Sequence, residues 1–189
     1  MNIRPYNKKD FRYVQDICMA TSDYANDDTP FNRAFLCAMY CDYYLDNQSE
    51  FCFVAADGDD VPVGYVLCAA DCADYTEKMS DLYLPFVRKI NSGEYYKFNA
   101  MIKVAEKYAR QGYTAHLHID ILEGYQQQGV GTELIHTLFG KLKEMNVEGV
   151  YLICGLKNES ARAFYESCGF DDIDYLSGAV VYGKKFFEE

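Results

Sequence analysis

Apolar and polar positions follow helical periods in some segments and strand-like runs in others. Residues 2–6 predict a short strand, and residues 8–21 predict a helix. After a polar loop, residues 31–47 predict a second helix, because its apolar side chains mostly repeat every 3.6 residues, as at Phe35, Ala38, Met39, Cys41 and Leu45. The runs FCFVAAD and VPVGYVLCAAD flank a polar turn and predict a β-hairpin.

The second half continues this mixture of helices and strands. Residues 72–112 predict two helices parted by residues 91–93, followed by the strand YTAHLHIDIL. An amphipathic helix begins near residue 130, and then come the strand GVYLICGL, a helix over NESARAFYESCGF, and strands near 172–177 and 179–185. This order predicts an α/β or α+β protein with a mixed central sheet of six to seven strands, flanking helices and a helical insertion near 72–112. A length of 189 residues favours one domain spanning 1–189.

Composition and charge narrow the functional classes. Half of the residues are apolar, which is typical of a globular protein. A net charge of −11 argues against nucleic acid and anionic membranes as partners. No apolar run reaches the ~18 residues of a membrane span, and the first ten residues lack the apolar segment of a signal peptide. The expected location is therefore the cytoplasm.

The cysteines and the acidic residues each allow two interpretations. Eight cysteines without a Cys-x-x-Cys pair favour buried thiols over disulfides or metal ligands, so no metal site is expected. The acidic stretch SDYANDDTP at 22–30, with Asp42 and Asp46, suits a cationic substrate. It also suits a solvated face that keeps the protein soluble.

The segment QQQGVG at 126–131 lies between a predicted strand and a predicted helix. It has no lysine after Gly131, as a phosphate-binding P-loop requires, and Leu134 stands where a dinucleotide fingerprint has its third glycine. The remaining pattern, Gln126-x-x-Gly129-x-Gly131, opens a helix whose first N–H groups are unpaired and carry partial positive charge. Glycines there let an anion such as a pyrophosphate approach the backbone closely.

A second block follows at 158–170. Asn158 is a suitable N-cap, and the apolar spacing of NESARAFYESCGF predicts an amphipathic helix that ends at Gly169. Asn158 and Tyr165 are seven residues apart, so they lie on nearly the same helix face. A polar cap and a phenol on one face are suited to an extended ligand.

These two blocks resemble the GNAT superfamily of acetyl-CoA-dependent N-acetyltransferases. The resemblance rests on HIDILEGYQQQGVGTELI and NESARAFYESCGF, and the order of elements agrees over most of the chain. The strand AHLHIDIL is similar to that of a bacterial subgroup related to the acetyltransferase-like domain of O-GlcNAcases. Three features depart from the family pattern: Gln126 replaces a frequent arginine, Glu123 replaces a frequent proline, and the segment 72–112 is longer.

The resemblance implies transfer of an acetyl group from acetyl-CoA, as cosubstrate, to an amine of a small molecule or peptide. It implies that Ile119 and Ile121 bind the pantetheine arm through their backbone, and that Asn158 bonds this arm from the other side. Tyr165 would protonate the departing thiolate, a suitable role for a phenol of pKa ~10. The implied pyrophosphate site comprises Gln126, Gln127, Gln128, Gly129, Val130, Gly131 and Thr132.

The base that deprotonates the amine stays open at this point. His116, His118 and Asp120 alternate along one strand and project from the same face, so a His–Asp pair, with His118 and Asp120 the leading candidates, is expected there. Each of the three is also compatible with a structural role. The acceptor is expected near the first two helices and their acidic loop. The alternative function is a non-catalytic acyl-CoA-binding or interaction module, and the assembly is open between a monomer and a two-fold dimer.

Overall fold

The seven strands in the described part of the chain form one mixed sheet. A computed structural model describes residues 1–90, 93 and 95–187. The strands are β1 (Asn2–Pro5), β2 (Phe53–Ala56), β3 (Pro62–Ala69), β4 (Ala115–Ile121), β5 (Gly149–Gly155), β6 (Asp171–Leu176) and β7 (Ala179–Lys185). Their order is β1-β2-β3-β4-β5-β7-β6, and β4 and β5 are its one parallel pair. The predicted mixed α/β fold and the strand number are confirmed.

Helices cover both faces of this sheet. They are α1 (Phe11–Thr21), α2 (Pro30–Tyr40), α3 (Asp42–Asn47), α4 (Cys72–Lys78), α5 (Leu84–Ile90), α6 (Tyr95–Ala109), α7 (Val130–Glu144) and α8 (Glu159–Ser167). No helix among the described residues has the length and apolar character needed to cross a membrane.

The predicted second helix is in fact two helices. Cys41 has φ −128° and ψ −59°, which interrupts the helical geometry between α2 and α3. The interruption occurs within the core, where Cys41, Tyr43 and Tyr44 are all buried. Because side chains on both sides of the break are buried, the apolar period runs through it and the sequence predicts one helix. This part of the prediction was wrong.

The helical insertion is confirmed, with one change in its first half. A π-helical turn at Met79–Tyr83 connects α4 to α5, where the sequence predicts a single helix. The predicted break at 91–93 falls largely outside the described residues, since 91 and 92 are not described. Buried side chains of α4, α5 and α6, among them Tyr75, Val87 and Phe98, join the core on one face of the sheet.

Strand alternation divides the interior into two cores. Tyr65, Leu67 and Ala69 of β3 face the core formed with α1 to α6. Val66 and Cys68 of the same strand face the core formed with α7. All eight cysteines are free thiols and all but Cys72 are buried, in agreement with the predicted buried thiols.

Candidate active site

Strands β4 and β5 are adjacent only where they begin. Ala115 pairs with Val150 and His116 with Tyr151, and no further pair joins the two described strands. β4 stays paired with β3 as far as Ile121, and β5 stays paired with β7 over its whole length. The two strands therefore diverge beyond His116, and the edge of β4 that faces β5 is free. A free strand edge offers N–H and C=O groups to an extended ligand.

The loop at the end of β4 presents unpaired backbone donors. Gln127 has φ 58° and Gly129 has φ 81°, so left-handed residues alternate with others just before α7. Such alternation forms a concave nest of N–H groups. The N–H groups of Gln127, Gln128 and Gly129 make no backbone hydrogen bond within the described part of the chain. Gln126 fixes the loop, because its side-chain amide donates to the carbonyl of Ile121 over 2.7 Å.

The two glycines of this loop have different uses. A Cβ on Gly129 would have no neighbour within 4 Å, so the space in front of this residue is open. A Cβ on Gly131 would lie 2.9 Å from Cζ of Phe164 and 3.3 Å from Cδ1 of Ile121. The missing side chain of Gly131 thus lets α7 approach the Phe164 ring of α8. This packing role is a second use of the glycine, and the ligand contact of Gly131 stays a prediction.

Substituting Gly129 tests whether the open loop binds a pyrophosphate. We expect Gly129→Asn to weaken acetyl-CoA binding roughly 10- to 100-fold, since the side chain would obstruct N–H groups that bond a charged phosphate. Asparagine tolerates the left-handed conformation, so the protein should still fold. Isothermal titration measures the affinity.

Gly178→Asn is a matched control for this test. Gly178 also has a positive φ of 77° and open space around it, but it lies in the turn between β6 and β7. The Gly178→Asn variant should bind acetyl-CoA with the same affinity as the wild type. Equal affinity for the Gly129→Asn variant and the wild type would refute the loop assignment. Gly131→Val is unsuitable for this purpose, because the clash with Phe164 would disturb the fold itself.

Asn158 caps α8, as the sequence predicts. Its side-chain oxygen accepts a hydrogen bond of 3.1 Å from the N–H of Ala161. The side-chain nitrogen has no partner among the described residues, so it remains available as a donor to a ligand. The cap therefore orients one end of α8 and leaves a polar group at its surface.

Tyr165 of α8 lies close to both diverging strands. Its ring contacts those of Phe164, Phe170 and Tyr182. Burial raises the pKa of the Tyr165 phenol, and the neighbouring Cys154 of β5 and Asp120 of β4 raise it further. Within the described residues the hydroxyl has no hydrogen-bond partner. The phenol is therefore protonated at neutral pH and available to donate.

His116, His118 and Asp120 share one face of β4, as predicted, but their environments differ. The Nε2 atom of His116 lies 3.0 Å from the hydroxyl of Tyr44, and the Tyr75 ring packs against the imidazole with a centroid separation of 4.3 Å. Burial lowers the pKa of His116 to about 3. This imidazole is neutral at physiological pH and enclosed by aromatic rings, so its environment indicates a structural role.

Tyr65 of β3 connects the other two residues. Its hydroxyl donates to Oδ2 of Asp120 over 2.7 Å and lies 3.2 Å from Nδ1 of His118. A phenol has one proton, and an ionised carboxylate can only accept. The Nδ1–H of His118 must then donate to the Tyr65 oxygen, which leaves Nε2 of His118 with a free lone pair.

The position of His118 is further fixed by stacking. The Tyr40 ring lies nearly parallel to the imidazole, with a centroid separation of 4.9 Å and an interplanar angle of 25°. The side chains of His118 and Asp120 are about a quarter exposed, at 25 % and 23 %. This pair is therefore oriented by buried neighbours and still accessible from the cleft.

An aromatic cavity of about 80 Å³ lies where β4 and β5 begin to diverge. Tyr40, Tyr44, Tyr75 and Met101 line it from the helical side, and Tyr151 and Ile153 line it from β5. Among the described residues, the hydroxyls of Tyr75 and Tyr151 have no hydrogen-bond partner, although their residues are only 1 % and 4 % exposed. The cavity thus combines aromatic walls with free hydroxyl groups, and the first signal for it in the sequence is the tyrosine-rich 40–44 segment.

Ion pairs within the protein neutralise part of the predicted acidic face. Arg33 pairs with both Asp16 and Asp28. Asp42 is largely enclosed and receives a hydrogen bond of 2.9 Å from Gln15, while burial raises its pKa. A cavity of about 520 Å³ between α1 and α2 includes Asp28, Arg33 and Asp42, but it shares no lining residue with the aromatic cavity. These contacts favour a structural role for Asp28 and Asp42 within the acidic face.

Comparisons with known proteins agree with this geometry. Residues 14–170 match the model of the acetyltransferase (GNAT) family. The solved structure of SsHAT is 29% identical, covers 99% of this chain and 98% of its own, and has a TM-score of 0.83. PH1933 from Pyrococcus horikoshii OT3 is 19% identical, with coverage of 99% of both chains and a TM-score of 0.68. PaiA N-acetyltransferase from Thermoplasma acidophilum, solved in complex with coenzyme A, is 14% identical, with 98% coverage of both chains and a TM-score of 0.60.

Proposed function

This chain belongs to the GNAT acetyltransferase family, and we propose that it transfers an acetyl group from acetyl-CoA to an amine by direct attack of the amine on the thioester. The acceptor is a small molecule or a peptide. The protein acts in the cytoplasm, a location in keeping with its eight free thiols.

The observation that carries this proposal is a continuous track along β4. It begins at the N–H nest before α7, follows the free strand edge past Ile121 and Ile119, and reaches the point where β4 and β5 part. The nest suits a pyrophosphate and the free edge suits the amide groups of a pantetheine arm. The side-chain nitrogen of Asn158 is free to donate to the same arm.

Tyr165 acts as the general acid in this proposal. Its ring packs in the core cluster that also contains Cys154 of β5 and Ile119 of β4. Thioester cleavage leaves a thiolate, and a protonated phenol without another acceptor is suited to donate to it. Burial that raises the pKa of the phenol also raises that of a thiolate in the same cleft, so the two remain comparable.

His118 acts as the general base. His116 is enclosed and bonded to Tyr44, whereas the Nε2 lone pair of His118 is free and accessible. Asp120 lies 3.6 Å from this nitrogen and stabilises the imidazolium that forms when His118 accepts the amine proton. The amine then approaches from the side of α1 to α6, opposite the face on which α7 and α8 lie.

Ligand binding can be tested before an acceptor is known. A ligand that binds only the native state raises the unfolding midpoint at saturation. We expect acetyl-CoA to raise the midpoint of the wild type, and to raise that of the Gly129→Asn variant less at the same concentration. No shift with acetyl-CoA at saturating concentration would contradict the proposed donor. A shift without amine-dependent turnover would favour the non-catalytic acyl-CoA-binding module.

A further inference from the structure

Three potential metal ligands from distant parts of the sequence meet at the cleft. They are Cys18 of α1 and His118 and Asp120 of β4, and their ligating atoms all lie within 4.8 Å of one another. Cys18 is buried, while the other two side chains are partly accessible from the cleft. The cluster is therefore closed on one side by the core and open on the other.

The ligand set is typical of zinc. Thiolate sulfur, imidazole nitrogen and carboxylate oxygen all bind Zn²⁺, at about 2.0 to 2.3 Å, which places tetrahedral ligand atoms roughly 3.3 to 3.7 Å apart. Nε2 of His118 and Oδ2 of Asp120 are already 3.6 Å apart. The separations from Sγ of Cys18 are at most 4.8 Å, so an approach of about 1 Å between this sulfur and the other two atoms brings the cluster to this geometry. Three protein ligands leave a fourth position for water.

Tyr65 provides the outer support that such sites need. A metal-ligating histidine usually has its other ring nitrogen hydrogen-bonded, which fixes the ring orientation. Nδ1 of His118 bonds to the Tyr65 hydroxyl, and this hydroxyl also bonds to Asp120. One buried phenol thus orients two of the three ligands. It also leaves Nε2, the histidine atom nearest Asp120, free to bind a metal.

Charge is also balanced at this site. Binding replaces the S–H proton of Cys18 with the metal and releases that proton to solvent. One thiolate, one carboxylate and a neutral imidazole carry two negative charges, which a divalent cation neutralises. A neutral assembly suits a site that is partly buried, where an uncompensated charge is costly.

We propose that Cys18, His118 and Asp120 bind Zn²⁺, and that its binding inhibits acetyl transfer. Inhibition rests on the proposed function, because the metal occupies the His118 lone pair that would accept the amine proton. The acetyltransferase activity therefore falls as the concentration of free Zn²⁺ rises.

Cobalt substitution tests the site without any activity. The protein is treated with a chelator, freed of it, and titrated with Co²⁺ in the presence of a reductant that does not bind metals. We expect one equivalent to bind with a thiolate-to-cobalt charge-transfer band and the visible bands of tetrahedral cobalt, and Zn²⁺ to displace it. Cys18→Ser should abolish the charge-transfer band. His118→Gln should weaken binding at least about 10-fold, the lower end of the loss seen even for outer-shell partners.

Cys72→Ser is the matched control, because Cys72 is the one partly exposed thiol and the most accessible alternative ligand. It should leave both spectrum and affinity unchanged. The absence of a charge-transfer band in the wild type, or its persistence in Cys18→Ser, would overturn the site. If Cys18→Ser does not fold, the Co²⁺ affinity of the folded His118→Gln variant is the deciding measurement. An affinity equal to that of the wild type would also overturn the proposed metal site.

The inhibitory role is tested by the ratio of rates with and without Zn²⁺. Zn²⁺ should lower the rate at least about 10-fold in the wild type and in Cys72→Ser. It should leave the rate of Cys18→Ser nearly unchanged. Metal binding with an unchanged wild-type rate would overturn the inhibitory role. A failure of acetyl transfer under all conditions would overturn the proposed function, while the cobalt titration would still decide the metal site.

Discussion

Tyr165→Phe should lower kcat by about 100-fold or more, within the range for loss of a general acid. The substitution keeps the aromatic ring and its contacts with Phe164 and Phe170 but removes the proton that is donated to the thiolate. Acetyl-CoA affinity and thermal stability should change little, because the hydroxyl has no partner among the described residues. Steady-state kinetics, isothermal titration and thermal melting measure the three quantities.

Tyr182→Phe is the matched control for Tyr165→Phe. The Tyr182 ring is 5.8 Å from the Tyr165 ring, but its hydroxyl bonds to Glu166. This variant should retain a rate close to that of the wild type. Slow release of coenzyme A would mask a change in chemistry, so single-turnover rates are compared as well. A Tyr165→Phe variant that matches the wild type in a single turnover would remove Tyr165 from the mechanism.

His118→Gln should lower kcat/KM for the amine by about 100-fold or more, because the variant lacks the lone pair that accepts the amine proton. Acetyl-CoA affinity should remain close to that of the wild type, since the substituted side chain faces the acceptor side of β4. The rates are measured after treatment with a chelator, which prevents bound metal from lowering the wild-type rate.

Two further variants locate the base. His136→Gln changes an exposed histidine of α7 and should have no effect. Asp120→Asn keeps an oxygen that accepts from Tyr65 but removes the charge, so its rate should fall less than that of His118→Gln. A larger loss in Asp120→Asn would assign the base to Asp120, and full activity in His118→Gln would exclude His118.

The elements that depend on residues close together in the sequence were predictable from it. The mixed sheet, the helical insertion and the N-cap at Asn158 follow from periods of two or 3.6 residues and from local capping chemistry. The alternation of His116, His118 and Asp120 on one face of β4 is likewise a local property of a strand. The sequence therefore identified where chemistry is expected, along β4 and in the loop that follows it.

Contacts between distant segments were not predictable in this way. Tyr65 reads as one apolar residue of a hairpin strand, and only the pairing of β3 with β4 brings its hydroxyl to His118 and Asp120. Cys18 precedes His118 by about a hundred residues, so no local spacing rule relates them. Without these partners, the sequence left the base open among His116, His118 and Asp120, with the last two as leading candidates, and it predicted no metal site.

The sequence identifies Gly131 as part of a motif but does not show which group lies against it. The glycine is visible in the sequence, and its position before a helix indicates close approach by another group. The structure identifies that group as the Phe164 ring, at 2.9 Å from a Cβ placed on Gly131. The open space lies at Gly129, whose left-handed backbone belongs to the N–H nest.

The central claim is acetyl transfer to an amine, and an acceptor screen tests it most directly. The chelator-treated protein is incubated with acetyl-CoA and representatives of small mono-, di- and polyamines, aminoglycosides and peptide N-termini. Free coenzyme A and acetylated product are both followed by mass spectrometry, which avoids interference from the protein's own thiols. The account predicts amine-dependent release of coenzyme A with an equal amount of acetylated amine, strongly reduced in Tyr165→Phe. Acetyl-CoA binding without amine-dependent release in any class would contradict it.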